Sequence, residues 1–228
     1  MSDRTMKILK FFFTLLIPIL VITAAVRLLA TDQYLTFEYG KAAFPPDSFG
    51  FTSQQRFILA STNVHYVRAH LPQDELAKQT MYGAPVYNAR EISHMADVRS
   101  VFQFVLVTGQ IVFILLVVIG LLLWSRGQQQ TLLTAIQWGG LLTCGLILLI
   151  GVTAIIAWQS WFNTFHFLFF KPGSWLFLYT DALIRLFPEQ FWFDSALTIA
   201  GLTLVGGLLA TIFGWRWKTT VQTSVFTL

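Results

Sequence analysis

Charge is nearly absent from four long stretches of the chain and gathers between them. Apolar runs occupy residues 11–29 (FFFTLLIPILVITAAVRLL), 101–124, 133–157 and 195–215. Each is close to the roughly 20 residues a helix needs to cross about 30 Å of hydrocarbon. A backbone in lipid must satisfy its own hydrogen bonds, so all four runs are predicted to be helices. The pattern predicts an all-α integral membrane protein, a four-transmembrane-helix bundle that forms a single membrane domain over residues 1–228. Two segments with mixed polarity lie between the spans, at 31–98 and 159–194.

Composition strengthens this reading. A 55% hydrophobic content, a mean hydropathy of +0.64, 22 phenylalanines and 8 tryptophans exceed what one soluble core of 228 residues uses. The first run also has the positive start of a signal peptide, but its apolar stretch outruns the ~7–15 residues of a signal core and no A-x-A site follows. It is read as a retained helix. The single cysteine, Cys144, falls in the middle of the third run beside Gly145 and is read as a packing residue, with no disulfide or CxxC site available.

Charge sets the expected orientation. Arg4, Lys7 and Lys10 precede the first span, Arg126 lies between the second and third, and Arg216 and Lys218 follow the fourth. Basic residues in short flanks favour the cytoplasmic side. Both termini are therefore expected inside, with 31–98 as a mainly helical extracytoplasmic insertion and 159–194 as an interfacial segment. These residues account for the net charge of +4. No Lys/Arg-rich run appears, so nucleic acid is not an expected partner.

Within the first outward segment, QYLTFEYGKAAFPPDSFGF alternates aromatics ahead of Pro45-Pro46 and predicts an extended piece ending in a turn. Next, Thr52 and Gln55 have capping-box spacing, and Phe57, Ala60, Val64 and Val67 share a face, predicting an amphipathic helix on the membrane surface. His65 and His70 are read there as surface residues. A short helical piece at 74–80 is broken by Tyr82-Gly83 and Pro85. Asn88 then offers an N-cap with Glu91 three residues on, so a helix should begin near Ala89 and run without a break into the second span.

That helix start carries Arg90, Glu91, His94, Asp97 and Arg99 in a chain only 11% charged. Glu91, His94, Val98 and Val101 share a face, and Asp97 follows His94 at i+3. In the second outward segment, Trp158, Trp161, Trp175 and Trp192 form an expected headgroup belt around His166. Lys171-Pro172-Gly173 reads as a turn. Asp181 to Phe187 reads as a short helix stopped by Pro188, with Asp181 and Arg185 as an i,i+4 surface ion pair. His94 and His166 are thus expected at one depth on one side.

Three function classes fit two such histidines. Acyl or lipid chemistry suits an imidazole base at the depth of lipid esters. A metal or haem site is the second, because Glu91 and His94 have ExxH spacing and His166 would be a third ligand. The third is a scaffold in which these residues are anchors. No GxSxG elbow and no HExxH motif is present.

The runs YNAREISHMADV (87–98), FHFLFFKPGSWLF (165–177), DALIRLFPEQFW (181–192) and FGFTSQQRFILAS (49–61) occur in the order seen in the bacterial lipoprotein intramolecular transacylases, which the chain resembles over nearly its whole length. The resemblance implies transfer of the sn-2 acyl chain of a diacylglyceryl-cysteine to the α-amino group of that same N-terminal cysteine, giving the lyso form. A diacylated bacterial lipoprotein would be the substrate, membrane lipids the surroundings, and no cofactor or acyl carrier would be required. The family's functional histidines would fall on His94 and His166. On chemical grounds His94 is taken as the base, oriented by Asp97 or Glu91, and His166 as the oxyanion or ester-positioning donor, the two roles being exchangeable. Glu91, Asp97, Arg90, Trp175, Asp181 and Arg185 are supporting candidates to which the resemblance assigns no role. The implied location is the bacterial cytoplasmic membrane, with the active site at the outer leaflet interface.

Overall fold

The computed structural model of the protein describes residues 2–68, 72 and 74–225, with side chains up to 218, so His70 lies outside the described residues. In chain order its elements are α1 (Asp3–Leu29), α2 (Asp32–Tyr39), α3 (Ser53–Arg68), α4 (Asp74–Ala77), β1 (Thr80–Met81), β2 (Ala84–Pro85), α5 (Ala89–Ser125), α6 (Gln129–Ile156), α7 (Trp158–Phe169), α8 (Ala182–Leu186) and α9 (Glu189–Val225). The four apolar runs fall in α1, α5, α6 and α9, each long and apolar enough to span a bilayer. All four extend beyond the runs at one or both ends, because polar caps and flanking turns continue the helical hydrogen bonding past the apolar stretch.

The chain divides into two compact units. The first is formed by the chain up to Val26, by Val107–Thr153 and by the chain from Thr198 on. Phe13, Ile17, Val112, Leu116 and Ala135 make its apolar centre, with Leu20, Ile119 and Leu132 packed around them. Two residues of the first apolar run are thus core residues of this unit. Where lipid surrounds helices, close backbone approach through small residues replaces the hydrophobic drive between them. Gly140 does this against α9: a Cβ there would lie 2.5 Å from Gly207 O and 2.6 Å from Thr211 N. Cys144 is buried in the same unit, its thiol 3.8 Å from Leu204 O.

The second unit comprises Arg27–Leu106 and Ala154–Leu197. Residues 32–39 are helical here, not extended. Thr31 caps the helix, accepting the Tyr34 N–H at 3.2 Å, and Asp32 sits in the first turn where the helix dipole favours a carboxylate. Tyr34, Leu35 and Glu38 are the buried positions, a helical i, i+1, i+4 set, while Phe37 is 60% exposed. The alternation of aromatics was therefore a coincidence of composition, overridden by the cap.

At α3 the capping box forms as predicted: Thr52 N donates to Gln55 Oε1 at 2.9 Å and Gln55 N to Thr52 Oγ1 at 3.2 Å. Its apolar face is covered by protein rather than by a lipid surface, since α3 packs against α2, α4 and α8. Two polar side chains are buried with that face. Arg56 donates from Nε and Nη2 to Arg185 O at 3.1 and 2.7 Å and from Nη1 to Pro45 O at 2.8 Å. Asn63 donates to Leu59 O and to Tyr87 Oη. His65 is on the outside, paired with Asp32 at 3.1 Å. The helical piece after it is only four residues long. It is followed by a two-residue ladder, Thr80 opposite Pro85 and Met81 opposite Ala84. Tyr82 and Gly83 at its tip have φ of 51° and 80°, the paired positive values that a tight hairpin turn requires.

Candidate active site

The site lies within the second unit and is built from two helix starts. At the start of α5, Asn88 Oδ1 accepts the N–H groups of Arg90 and Glu91, both at 3.0 Å, and Glu91 Oε2 accepts Asn88 N at 2.8 Å. This is the reciprocal capping box that the spacing predicted. The helix then runs unbroken through Gly109 and places Glu91 and His94 on one buried face.

Glu91 does more than cap. It is 1% exposed, and its second oxygen accepts the backbone N–H of Leu183 at 2.8 Å, in the first turn of α8. One carboxylate therefore satisfies orphan donors at two helix starts, with charge at the positive end of each. Asp181 binds alongside. Its carboxylate accepts Asn88 Nδ2 at 3.1 Å, Arg90 Nη2 at 3.3 Å and the Leu178 N–H at 2.8 Å. Arg90 also lies over the Phe177 ring, 5.5 Å from its centroid.

The histidines meet around Phe170. The His94 ring stands edge-on to Phe170 and Phe177, with centroids at 4.9 and 5.3 Å, and it is 8% exposed. The His166 ring lies 5.5 Å from Phe170, 4.1 Å from Phe162 and 4.6 Å from Trp175. Both imidazoles therefore contact one phenylalanine within an aromatic cluster. His166 Nδ1 is 2.7 Å from Phe162 O. A carbonyl only accepts, so Nδ1 carries the proton in that bond and the neutral ring presents its lone pair at Nε2. Desolvation by burial holds the His166 pKa below the ordinary histidine value, while the Phe162 carbonyl pulls weakly the other way. His94 Nδ1 is buried without a protein partner.

Several predicted partners stand elsewhere. Asp97 is half-buried and makes no hydrogen bond to His94, whose Nδ1 is unpaired. The Asp181/Arg185 surface pair does not form. Asp181 sits at the N-cap of α8 with an extended backbone, so its side chain turns back to Asn88 and Arg90. Arg185 instead forks onto Asp47, with Nε and Nη2 at 2.9 and 3.0 Å from its two oxygens, and its guanidinium lies 3.4 Å from the centre of the Phe51 ring. A bidentate pair with a stacked ring outcompetes a solvated i,i+4 contact. Burial pushes the Asp47 carboxyl up. The Arg185 hydrogen bond and the N–H groups of Phe51 and Phe49 outweigh it, leaving a pKa of about 2.

Phe170, Phe177 and the Phe162 carbonyl belong to the site and were not picked out by sequence. The stretch FHFLFF is aromatic at every position but Leu168, so no local signal separates the ring between the histidines from Phe167 or Phe169, which are exposed. The ExxH pair does not present two ligands, because both Glu91 oxygens are taken by backbone N–H groups. Among the described residues, no three His, Cys, Asp or Glu side chains gather as a metal site would need.

The family model described as "Lipoprotein intramolecular transacylase Lit" matches residues 11–192. An uncharacterised protein of Aquifex aeolicus (strain VF5) is 26% identical over 209 residues, covering 91% of this chain and 94% of its own. Among solved structures, the membrane-integral lipoprotein intramolecular transacylase Lit of Bacillus cereus superposes with a TM-score of 0.78 at 16% identity, covering 98% of this chain and all of that one. The same enzyme with one histidine replaced by arginine superposes at 0.65 and 15% identity, covering 97% of this chain and 95% of its own. The match runs through both histidine-bearing segments and all but the last of the four apolar helices, and on it the chain belongs to the Lit family of lipoprotein intramolecular transacylases.

Proposed function

We propose that this transacylase uses His166 as the general base and His94 as a polar partner of the ester in moving the sn-2 acyl chain of a diacylglyceryl-cysteine to the α-amino group of that cysteine. The observation that carries the assignment is the 2.7 Å bond from His166 Nδ1 to Phe162 O, which leaves Nε2 as a lone pair. It exchanges the two roles expected from sequence: Glu91 is spent on backbone N–H groups, and Asp97 does not hold His94 in a tautomer.

The steps balance within one substrate molecule. An α-ammonium has a pKa near ~8 and must lose a proton before it attacks, and a neutral imidazole takes it. The amine nitrogen then bonds to the sn-2 ester carbon, and the carbonyl electron pair moves to oxygen. Collapse of the intermediate breaks the ester C–O bond. His166 returns its proton to the departing sn-2 oxygen, and the second proton shed by the newly acylated nitrogen passes to water, leaving an N-acyl cysteine and a free sn-2 hydroxyl. Donor and acceptor belong to one molecule already held in the bilayer, so orientation supplies much of the rate. No acyl carrier enters.

The basic residues flanking the spans favour both termini inside a bacterial cytoplasmic membrane, with 31–98 and 159–194 outside and the histidines at the outer leaflet interface. Expression in a host lacking its own transacylase tests the reading. N-terminal lipopeptides from that host should shift to the lyso form by mass spectrometry. His166→Ala and His94→Ala should insert normally and give at most about a hundredth of that product. Full product from either variant would remove that histidine from the mechanism.

A further inference from the structure

We propose that the indole N–H of Trp175 is an oxyanion donor in this acyl transfer, acting on the sn-2 ester carbonyl oxygen. The inference rests on the transacylase reading and adds a group to it. Trp175 is 9% exposed, and its Nε1 is buried without a protein partner. An indole N–H only donates, and buried donors are almost always paired. Even the more exposed Trp158 and Trp192 of the same segment pair theirs: Trp158 Nε1 donates to Glu189 Oε1 at 2.9 Å and Trp192 Nε1 to Phe187 O at 3.1 Å.

The unpaired donor is also the one that touches a catalytic ring. Trp175 lies 4.6 Å from His166, inclined at 38°, and is flanked by Phe162 at 6.2 Å and Phe167 at 5.6 Å. It is held by the turn after α7, where Ser174 N bonds Lys171 O at 3.1 Å and Leu176 N bonds Gly173 O at 3.4 Å. A donor with no competing acceptor in the resting protein costs little reorganisation when charge develops beside it. As the amine bonds to the ester carbon, the oxygen gains negative charge and accepts from Nε1. When the ester C–O bond breaks, the oxyanion's electron pair re-forms the carbonyl and the bonding pair leaves with the sn-2 oxygen, which takes the proton from His166. No proton leaves Trp175.

The test uses the full chain in membranes, with kcat, KM and the pH profile of lyso formation read by mass spectrometry. Two variants are compared: Trp175→Phe, and site-specific replacement of Trp175 by benzothienylalanine, which keeps the shape and replaces N–H by sulfur. The isostere guards against misfolding of the phenylalanine variant. The expected result is a loss of about 10²–10³ in kcat in the isosteric variant, with KM and the acid limb of the profile unmoved. A wild-type kcat in that variant, or a raised KM with kcat kept, overturns the proposal and makes Trp175 a packing residue, leaving the transacylase reading intact. Absence of lyso product from the wild type in the same assay overturns both.

Discussion

Glu91 Oε1 accepts the backbone N–H of Leu183 at 2.8 Å across 92 positions of sequence, while its other oxygen caps its own helix through Asn88. Glu91→Ala would leave two backbone donors without their acceptor, each costing about 1–3 kcal/mol when buried. The expected outcome is a clear fall in thermal midpoint in detergent together with loss of lyso product. Glu91→Gln retains an acceptor for one of the two and should fall between. A midpoint equal to wild type in the alanine variant would show that the clamp is not stabilising.

Asp47 contributes stability with a defined pH window. Its carboxyl titrates near 3.8 when unfolded and at about 2 when folded, held by Arg185 and two backbone N–H groups, and the Asp47 side chain is 1% exposed. A depressed carboxylate stabilises fully above the unfolded value and loses this as pH falls through the folded one. The contribution at neutral pH is about 2 kcal/mol. Asp47→Asn should lower the midpoint at neutral pH, and its gap to wild type should close between about pH 4 and pH 2. A gap that stays constant over that window would contradict the pairing.

The buried imidazole of His166 should set the acid limb of activity. Because desolvation lowers its pKa, the neutral base persists to lower pH than a free histidine near ~6.5. The pH profile of kcat/KM should therefore keep its base-dependent plateau below about pH 6.5 before activity falls. An acid limb centred above that value would conflict with a desolvated base at this position.

In the first unit, Gly140 is the tightest backbone approach to α9. A Cβ there would meet Gly207 O and Thr211 Oγ1, each at 2.5 Å. These are a backbone atom and a side chain already bonded to the Gly207 carbonyl at 2.8 Å, so neither yields cheaply. Gly140→Val should destabilise by at least about 1–3 kcal/mol. Gly145 has open space around its Cβ position, and Gly145→Ala is the control expected to leave the unfolding midpoint unchanged or raised.

What could be read from the chain was what short-range physics decides. About twenty apolar residues with at most one charge demand a helix in lipid, and α1, α5, α6 and α9 formed on all four runs. Asn88 with Glu91, and Thr52 with Gln55, fixed helix starts because the partner is three residues away in any conformation that begins a helix. Residues 32–39 failed for a related reason: period-two aromatics are a weak signal, and the Thr31 cap with one buried helical face outweighed them.

The sequence alone determined the spans, the helix starts and the two candidate histidines. Tertiary structure decided their partners. Arg185 chose Asp47 at 138 positions over Asp181 at four, Glu91 found Leu183, and Phe170 rather than its aromatic neighbours came to lie between the rings. Local spacing carries no information about such choices. They depend on which groups packing removes from water, since a buried donor or acceptor costs more unpaired than any nearby solvated contact returns.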